Sequence, residues 1–327
     1  MTQPSSESHA NAGARIILHQ YGGSPFSEKI RLILGLKRLR WAAVEIPVVM
    51  PKPDVVALTG GYRKTPFLQI GGDIWCDSAL AARVLERLQP APTLYPASAP
   101  LAEPLAQWAD STLFWNVVPW AVQPATVSFM MNDASPERVK AFAVDRAAFT
   151  AGMKRLTPAE ARIQVLRHAG ALDRQLADGR PFLFGADISI ADFSVAHGLW
   201  FIRRARPVAG ILDPFAALNR WLDRVLALGH GESSEMTSDE AITIAAATGP
   251  RAACEVLPGQ GLEAGRPVTA AATDYGMDPV AGTLVGLDEH EIVVRRTDER
   301  AGTVHVHFPR AGFQVREIKD NPKETTR

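Results

Sequence analysis

A serine at a turn between an apolar stretch and a helix is the first residue whose position suggests chemistry. Segment 23–27 reads GSPFS and follows the apolar stretch 15–20. Backbone amides at a helix start, together with the positive end of the helix dipole, favour an anion such as a thiolate. The hydroxyl of Ser24 can donate a hydrogen bond to a bound thiolate and so lower the pKa of the thiol. Alternatively, Ser24 only caps the helix, a role for which serine is well suited.

Thiol exchange at this turn is excluded by the same residues. Proteins that exchange thiols place a C-P-x-C motif at such a turn, and here Ser24 and Ser27 occupy both cysteine positions. A hydroxyl cannot form a mixed disulfide. The two cysteines of the chain, Cys76 and Cys254, lie far apart and form no CxxC motif, which argues against a disulfide framework and against a cysteine-type structural zinc site.

Two further motifs could hold a peptide. Pro66 stands at the entrance of a predicted strand, where a cis bond would turn the Thr65 backbone toward an extended peptide; alternatively it is an ordinary strand-start proline. Asp77 and Ser78 open a predicted helix, so the amides and the hydroxyl could hold a carboxylate and Asp77 could pair with an α-amino group. A simple N-cap pair is the alternative. Together with Ser24, these motifs describe a site for a tripeptide thiol.

The hydrophobic pattern of residues 15–90 predicts the elements that must position these motifs. A parallel strand–helix–strand unit joined to a hairpin makes a small four-stranded mixed sheet with helices on its faces. Segment 51–62, with two prolines and two glycines, is interpreted as irregular. The predicted strands cover 15–20, 41–49, 65–70 and 74–76. One predicted helix begins at Pro25, and a second covers 79–88.

Beyond residue 97 the pattern changes twice. Up to about residue 249 helical periods dominate and predict a helical bundle, with a capping box at 189–192. From residue 267 onward short alternating segments between turns predict a small all-β module. We therefore predict four parts: a disordered tail 1–13, an α/β domain 14–90, an all-α domain 97–249 and a β-rich module 251–320.

Composition and charge narrow the function classes. Among 327 residues, 35 are Lys or Arg and 35 are Asp or Glu, so no global basic field favours nucleic acid or an anionic membrane. The short basic run 203–206 (RRAR) is interpreted as solvated surface. The first 15 residues lack the apolar core of a secretory signal, and no stretch approaches the ~20 apolar residues that span a bilayer. We expect a cytoplasmic protein with no membrane partner.

Taken together, these segments resemble a glutathione S-transferase of the bacterial, serine-type kind. Residues 15–89 resemble its thioredoxin-like N-terminal domain and residues 97–230 its helical C-terminal domain. The resemblance covers about two-thirds of the chain, is specific in combination, and leaves the β-rich tail as an addition. The stretches that carry it are SPFSEKIRLILGLK, GGYRKTPFLQIGGDIWCDSALAARVLER and PFLFGADISIADFSVAHGLWF.

The resemblance implies that glutathione binds as co-substrate. Ser24 matches the serine of the S-P-F turn that activates the thiol. Thr65 matches the residue whose backbone meets the cysteinyl part, and Asp77 with Ser78 matches the pair that holds the γ-glutamyl end. Tyr21 lies near the position of the catalytic hydroxyl in tyrosine-type members, so either Ser24 or Tyr21 could activate the thiol. Besides catalytic Ser24, the implied glutathione-binding residues are Tyr21, Pro25, Phe26, Lys64 (for the glycyl carboxylate), Thr65, the cis proline Pro66, Asp77 and Ser78.

The resemblance also implies a second substrate and a partner. The family builds its acceptor pocket mainly from the helical domain, and the expected acceptor is a small hydrophobic electrophile. The expected assembly is a homodimer and the expected role is detoxification. The aromatic side chains that could line the pocket, or could instead belong to the core, are Trp108, Phe114, Trp115 and Trp120.

Two other functions compete with a transferase. The first is a non-catalytic binding or scaffold protein whose β-rich tail mediates interactions, because a fold does not determine a function. The second is a glutathione-dependent reductase, which would need a cysteine at the Ser24 turn. Retained peptide-holding motifs argue against the first, and the absence of that cysteine argues against the second.

Two histidines of the tail raise the question of a metal ion. His305 and His307 share one face of a predicted strand, and His290 could be near them. Alternating histidines can bind metal. Because the sequence shows no carboxylate or cysteine in register with them, we predict no bound metal.

Overall fold

The computed structural model describes residues 15–131 and 134–319. The predicted disordered tail 1–13 lies outside the described residues. Apart from one additional helix within 51–62, residues 15–90 show strands and helices in the predicted order, because short apolar strands are separated by turns and by helices with good start signals. These elements are β1 (Ile16–Gln20), α1 (Pro25–Lys37), β2 (Arg40–Glu45), α2 (Pro53–Thr59), β3 (Phe67–Ile70), β4 (Asp73–Cys76) and α3 (Ser78–Leu88).

The middle of the chain is mainly helical, as predicted. The capping box at Ser189 is present and includes the Asp192 side chain, which accepts hydrogen bonds from the Ser189 amide and hydroxyl. A π-helical turn spans Ala109–Leu113 and a 3-10 segment spans Arg206–Leu212. The helices are α4 (Ala102–Trp108), α5 (Phe114–Ala121), α6 (Pro124–Met130), α7 (Pro136–Phe149), α8 (Pro158–Gln175), α9 (Ile190–Arg204) and α10 (Ala216–Leu226).

The C-terminal part is rich in strands, which confirms the predicted β-rich module. Alternation of buried and exposed residues, as in Pro267–Ala272, reveals these strands in the sequence. After α10 the chain forms β5 (Glu232–Met236), α11 (Ser238–Thr248), β6 (Pro267–Ala272), β7 (Val280–Leu287), β8 (Glu291–Asp298), β9 (Gly302–Pro309) and β10 (Phe313–Glu317).

Two elements were not predicted. The segment 51–62, expected to be irregular, contains α2, which has proline in its first turn and ends at Gly60 with φ 76°; this is the usual proline-start, glycine-end signature of a helix. The region 97–249, expected to be free of strands, contains β5. Four of its five residues are exposed and its sequence, ESSEM, has no apolar alternation, so a hydrophobicity pattern cannot reveal it.

The strands join in one ten-stranded sheet, ordered β10-β6-β7-β8-β9-β4-β3-β1-β2-β5. The predicted four-stranded sheet is therefore its segment β4-β3-β1-β2. The tail continues that sheet because β9 pairs in parallel with β4, with Asp73 opposite His305 and Trp75 opposite His307. A parallel pair needs a long crossover connection, and here the whole helical region lies between the two strands in sequence.

The described chain groups into two compact units. The first contains residues 15–20, 42–81 and 234–319, and the second contains 21–41 and the described part of 82–233. Each unit thus combines segments from distant parts of the sequence. The first joins N-terminal strands to the tail, and the second joins α1 to the helices of the middle region.

A glycine permits the tail to start close to the β3–β4 hairpin. A Cβ atom on Gly72 would lie 2.6 Å from the Pro250 nitrogen and closer still to the Gly249 carbonyl carbon. The Gly72 amide instead donates to the Gly249 carbonyl at 2.8 Å. This contact brings the segment after α11 beside Asp73, the first residue of β4.

Among the described residues, no helix combines the length and the apolar character needed to cross a lipid bilayer.

Candidate functional site

Ser24 is the N-cap residue of α1. Its backbone is extended (φ −75°, ψ 123°), its Oγ accepts a hydrogen bond from the Ser27 amide at 3.2 Å, and Pro25 occupies the first turn. The Ser24 amide donates to the Tyr21 carbonyl at 3.0 Å, and the Ser24 side chain is buried. The capping interpretation is therefore observed. Capping uses an oxygen lone pair, whereas a bond to a thiolate would use the O–H hydrogen, so the two roles are chemically compatible.

Two arginines hold the turn that precedes α1. Nη2 of Arg31 and Nη1 of Arg204 donate to the Gly22 carbonyl at 3.3 and 3.2 Å. Arg31 is also paired with Glu28 at 2.7 Å, and burial, aided by the charge of Arg31, lowers the pKa of Arg204 from its ordinary value. The expectation that the run 203–206 is solvated was wrong for Arg203 and Arg204, which are both half-buried; Arg204 lies on the turn. Nothing within the run itself distinguished these two residues from the exposed Arg206.

Phe26 belongs to an aromatic cluster of the second unit. Its ring centroid lies 4.6 Å from that of Phe114 and 4.6 Å from that of His197. Phe114 is buried, so the core interpretation holds for it, while Trp108, Trp115 and Trp120 are half-buried. Phe26 therefore anchors the start of α1 by packing.

A buried charged network supports the same helix. Lys29 is fully buried and its Nζ lies 2.5 Å from Asp110 Oδ2, while His197 Nε2 lies 3.0 Å from Asp110 Oδ1. Burial alone would raise the pKa of Asp110, but the Lys29 ammonium and the His197 hydrogen bond hold it below its ordinary value. Sequence reasoning missed this network, although a lysine and an aspartate inside apolar helices were the available signal.

The Thr65–Pro66 peptide bond is cis, which confirms that part of the prediction. Pro66 is buried, Thr65 is half-buried, and β3 begins at the next residue, Phe67. The proline thus stands at the strand entrance as expected. Pairing of the Thr65 backbone with a peptide stays a prediction.

Asp77 lies between β4 and α3, and Ser78 is the first residue of α3. The Asp77 Oδ1 accepts from the Ala79 amide at 2.8 Å, the Asp77 carbonyl accepts from the Ala81 amide at 3.0 Å, and Ser78 is buried in the first turn. Asp77 therefore caps α3, as the simpler interpretation proposed. Its backbone has φ 77°, a left-handed conformation that is uncommon outside glycine. Uncommon backbone conformations concentrate at functional sites.

The two peptide-holding motifs share one end of the sheet. Phe67 is the register partner of Cys76 in the β3–β4 hairpin and of His19 in the β1–β3 pair. The residues that precede Phe67 and those that follow Cys76 must therefore lie at the same end of the strands, where β1 also ends. Burial and the Asp77 charge raise the pKa of Cys76 well above its ordinary value, which makes that thiol unreactive.

Lys64 forms an ion pair with a carboxylate of the tail. Its Nζ lies 2.7 Å from Asp274 Oδ1 and 3.9 Å from the centroid of the Tyr275 ring, and its side chain is 9% exposed. The adjacent Arg63 pairs with Asp278 at 3.1 Å. Lys64, to which the family resemblance assigns the glycyl carboxylate of glutathione, is therefore already paired with a carboxylate of this chain.

The predicted site residues divide between the two units. Within the first unit, the residues just before β3 lie near those just after β4. Within the second unit, the residues of the turn before α1 and of its first turn lie together. The first group is Lys64, Thr65, Pro66, Asp77 and Ser78; the second group is Tyr21, Ser24, Pro25 and Phe26.

Comparisons with known proteins identify two family domains in the sequence. Residues 18–93 match the glutathione S-transferase N-terminal domain, and residues 141–224 match the glutathione S-transferase C-terminal domain. Among curated proteins, none matches the sequence.

Solved structures resemble the chain to different extents. A protein described as GST-like from Pseudomonas syringae is 42% identical, with a TM-score of 0.76, over 94% of this chain and 100% of its own. That share of the chain cannot be reached without the C-terminal strands. A glutathione S-transferase from Rhodospirillum rubrum F11 is 21% identical, with a TM-score of 0.49, over 65% of this chain and 88% of its own. FzlA from C. crescentus is 23% identical, with a TM-score of 0.48, over 64% and 86%.

Proposed function

This chain belongs to the glutathione S-transferase family, and we propose that it is a working transferase in which Ser24 activates the thiol of bound glutathione. The family assignment confirms the resemblance seen in the sequence, with its thioredoxin-like and helical domains, and the structure shows the additional C-terminal strands. The proposed reaction is attack by the glutathione thiolate on a small hydrophobic electrophile. The thiol proton leaves to solvent and the sulfur lone pair forms the new C–S bond. In a substitution the leaving group departs with the electrons of its broken bond to carbon, and in an addition the electrons of the broken π bond take up a proton from solvent.

The position of Ser24 at the start of α1 carries this proposal. The helix N-terminus stabilises an anion by up to about 2 kcal/mol in a partly buried setting. The Arg204 guanidinium on the Gly22 carbonyl adds positive charge to the same turn, whereas the charge of Arg31 is balanced by its ion pair with Glu28. A serine hydroxyl that donates to the thiolate contributes a charge-assisted hydrogen bond. All three effects favour the thiolate over the thiol and lower the thiol pKa.

The common position of the two peptide-holding motifs, at one end of the sheet, supports the proposal that glutathione binds there. The Thr65 backbone would pair with the cysteinyl part of glutathione next to the cis Pro66, and Asp77 with Ser78 would hold the γ-glutamyl end. These two motifs lie at one end of the β3–β4 hairpin, as the register of Phe67 with Cys76 requires. Glutathione binding therefore uses backbone and side chains that neighbouring strands hold in place.

A non-catalytic role is the second candidate, and the Lys64–Asp274 ion pair favours it. A tail carboxylate that neutralises Lys64 reduces the attraction of the site for the glycyl carboxylate. In that case the transferase-like region would serve as a scaffold and the tail strands would mediate interactions. Failure to bind glutathione at millimolar concentration in calorimetry would favour the scaffold role.

A titration of thiolate ultraviolet absorbance tests the transferase proposal. Glutathione mixed with excess protein should show a thiol pKa well below that of free glutathione. Because a hydrogen bond to a charged group is worth about 1.5–3 kcal/mol, Ser24→Ala should raise the bound thiol pKa by about one to two units.

Two further variants assign the donor. Ser27→Ala is the matched control, since it removes a buried hydroxyl from the same turn whose oxygen has no hydrogen-bond partner in the described structure; its titration should equal that of the parent. A shift with Tyr21→Phe and none with Ser24→Ala would transfer the role to Tyr21. A curve identical to that of free glutathione would remove the activation proposal.

We also propose that the protein acts as a cytoplasmic homodimer in detoxification of electrophiles. Both cysteines are unpaired, as is usual for proteins of a reducing compartment. Light scattering on the purified chain measures the oligomeric state, and a monomer at micromolar concentration would contradict the dimer.

A further inference from the structure

The parallel pairing of β9 with β4 places two histidines against a carboxylate. His305 is the register partner of Asp73, and His307 is two residues further along the same face. The Asp73 Oδ1 lies 3.0 Å from His307 Nε2 and 3.9 Å from His305 Nδ1. The three donor atoms all lie within 4.8 Å of one another. The sequence alone showed no carboxylate in register, because the partner strand is 234 residues away.

A thiol lies beside the same cluster. The Cys254 Sγ is 3.8 Å from His305 Nδ1, the nitrogen that also faces Asp73. Cys254 packs closely against β7, since a Cβ atom on Gly286 would lie 2.9 Å from the Cys254 Cβ. The Nδ1 atom of His305 therefore has both a thiol sulfur and a carboxylate oxygen within 4 Å.

This arrangement does not fit a nucleophilic Cys-His-Asp triad. In a triad, one ring nitrogen of the histidine faces the nucleophile and the other faces the carboxylate. Here Nδ1 of His305 faces both Cys254 and Asp73. Three donor atoms that lie within 4.8 Å of one another, on Asp73, His305 and His307, are instead close enough together to ligate one metal ion.

Residues around the cluster hold the donor atoms in orientations suited to a cation. The Nδ1 of His307 lies 3.1 Å from Glu291 Oε2, a carboxylate oxygen that can accept the Nδ1 proton, and Nε2 faces Asp73 Oδ1 at 3.0 Å. The other Asp73 oxygen, Oδ2, accepts from the Arg251 and Ala252 amides at 2.6 and 2.9 Å. Metal-binding histidines commonly donate their second N–H to a carboxylate in this way.

The charge of the cluster also calls for a cation. Asp73 and Glu291 flank a fully buried imidazole, and Asp73 itself is 2% exposed. Two carboxylates thus require a compensating positive charge, which either a proton or a metal ion can supply.

We propose that Asp73, His305, His307 and Cys254 form a binding site for a divalent transition-metal ion, with Zn²⁺ as the ion that this mixed oxygen, nitrogen and sulfur donor set favours. The separations of 3.0, 3.9 and 3.8 Å are close to those between ligands of a tetrahedral Zn²⁺ ion, whose bonds are about 2.0–2.3 Å long. Asp73, His305 and His307 already lie within 4.8 Å of one another, and a shift of the Cys254 side chain toward them would supply the fourth ligand. Four protein ligands would make a closed, structural site.

The bound ion would link three segments of the first unit. Asp73 belongs to β4, the two histidines to β9, and Cys254 to the segment between α11 and β6. The ion would therefore fasten the C-terminal strands to the edge of the N-terminal hairpin. This role is independent of the proposed glutathione chemistry.

Competition for Zn²⁺ with a colorimetric chelator tests the site in the full-length protein after removal of metal. The wild-type chain should bind one Zn²⁺ per chain, and Zn²⁺ but not Mg²⁺ should raise its melting temperature. His305→Gln and Cys254→Ser change partly exposed residues and should weaken Zn²⁺ binding at least tenfold. His290→Gln, in the same module, is the matched control and should bind as the wild type does.

Cobalt spectroscopy of the wild-type chain gives a readout that does not depend on how any variant folds. Co²⁺ bound at this site should show intense tetrahedral d–d bands and a sulfur-to-cobalt charge-transfer band, which Cys254→Ser should abolish. Weak octahedral bands without charge transfer, no stoichiometric binding of Zn²⁺, or equal Zn²⁺ affinity of His305→Gln and His290→Gln would each overturn the proposal.

Discussion

Lys64 and Asp274 form an ion pair, with Nζ 2.7 Å from Oδ1, that ties the residue before the cis Thr65–Pro66 bond to the loop between β6 and β7. The Lys64 side chain is nearly buried, whereas half of the Asp274 side chain is exposed. The carboxylate can therefore move into solvent more readily than the ammonium can. The tail thus influences the charge of the edge that we propose for glutathione.

Replacing Asp274 by asparagine should strengthen glutathione binding. The substitution removes the carboxylate that competes with the glycyl carboxylate for Lys64. A half-exposed ion pair is worth about 0.2–1 kcal/mol, so the dissociation constant should fall by up to about fivefold in calorimetry. Asp278→Asn, which breaks the neighbouring pair with Arg63, is the control and should change the constant little. Unchanged or weaker binding by Asp274→Asn would show that Lys64 does not meet the ligand.

Replacing Gly72 by alanine should destabilise the protein. The new Cβ atom would overlap the Gly249–Pro250 backbone, and overpacking of this kind costs about 1–3 kcal/mol. Urea unfolding followed by circular dichroism measures the loss. Gly198→Ala serves as control, because its Cβ atom would meet only Val117 Cγ2 at 3.9 Å and alanine favours a helix over glycine. Equal stability of both variants would contradict the close approach at Gly72.

Replacing Asp110 by asparagine should be strongly destabilising. It leaves the fully buried Lys29 ammonium without its carboxylate, and breaking a buried ion pair costs about 3–5 kcal/mol. The double variant Lys29→Met with Asp110→Asn should recover much of that loss, because it removes the unpaired charge. The free energies of unfolding of the parent, Lys29→Met, Asp110→Asn and the double variant form a thermodynamic cycle. A double variant as unstable as Asp110→Asn alone would argue against the ion pair.

Stability should fall as pH decreases from about 6.5 to 4, with His19 contributing to the loss. Burial lowers the pKa of His19 to about 4, although the Gln69 hydrogen bond opposes this shift. The folded chain keeps the imidazole neutral while the unfolded chain takes up a proton below pH 6.5, so protonation favours unfolding until the folded pKa is reached.

The His19 contribution can be isolated by substitution. His19→Gln should reduce the pH dependence of the free energy of unfolding between pH 6.5 and 4, measured in urea at several pH values. His290→Gln, at an exposed histidine, should keep the dependence of the parent. Parallel curves for His19→Gln and the parent would exclude His19 as the titrating group.

Local sequence signals predicted the residues around the candidate site well. Ser24 and Pro25 begin α1 as an N-cap and a first-turn proline, and Pro66 enters β3 through a cis bond. These features depend on residues within a few positions of one another, so a short window of sequence contains the information. The alternating tail strands were visible for the same reason.

Other features needed the folded chain. The sequence does not show that Arg204 donates a hydrogen bond to the Gly22 carbonyl, or that β5 forms from mostly polar residues. Both depend on which segments meet in three dimensions. Hydrophobic periodicity reports which side of an element is buried and carries no information about the partner.

The sequence by itself determined the family, the order of most elements and the motifs at the ends of β1, β3 and β4, because local propensity, capping and turn chemistry specify them. Only the tertiary structure decided that β9 pairs with β4, that Asp73 meets His305 and His307, and that Asp274 meets Lys64. These contacts join segments more than 200 residues apart. Their pairing is selected by the packing of the whole sheet, which no local pattern encodes.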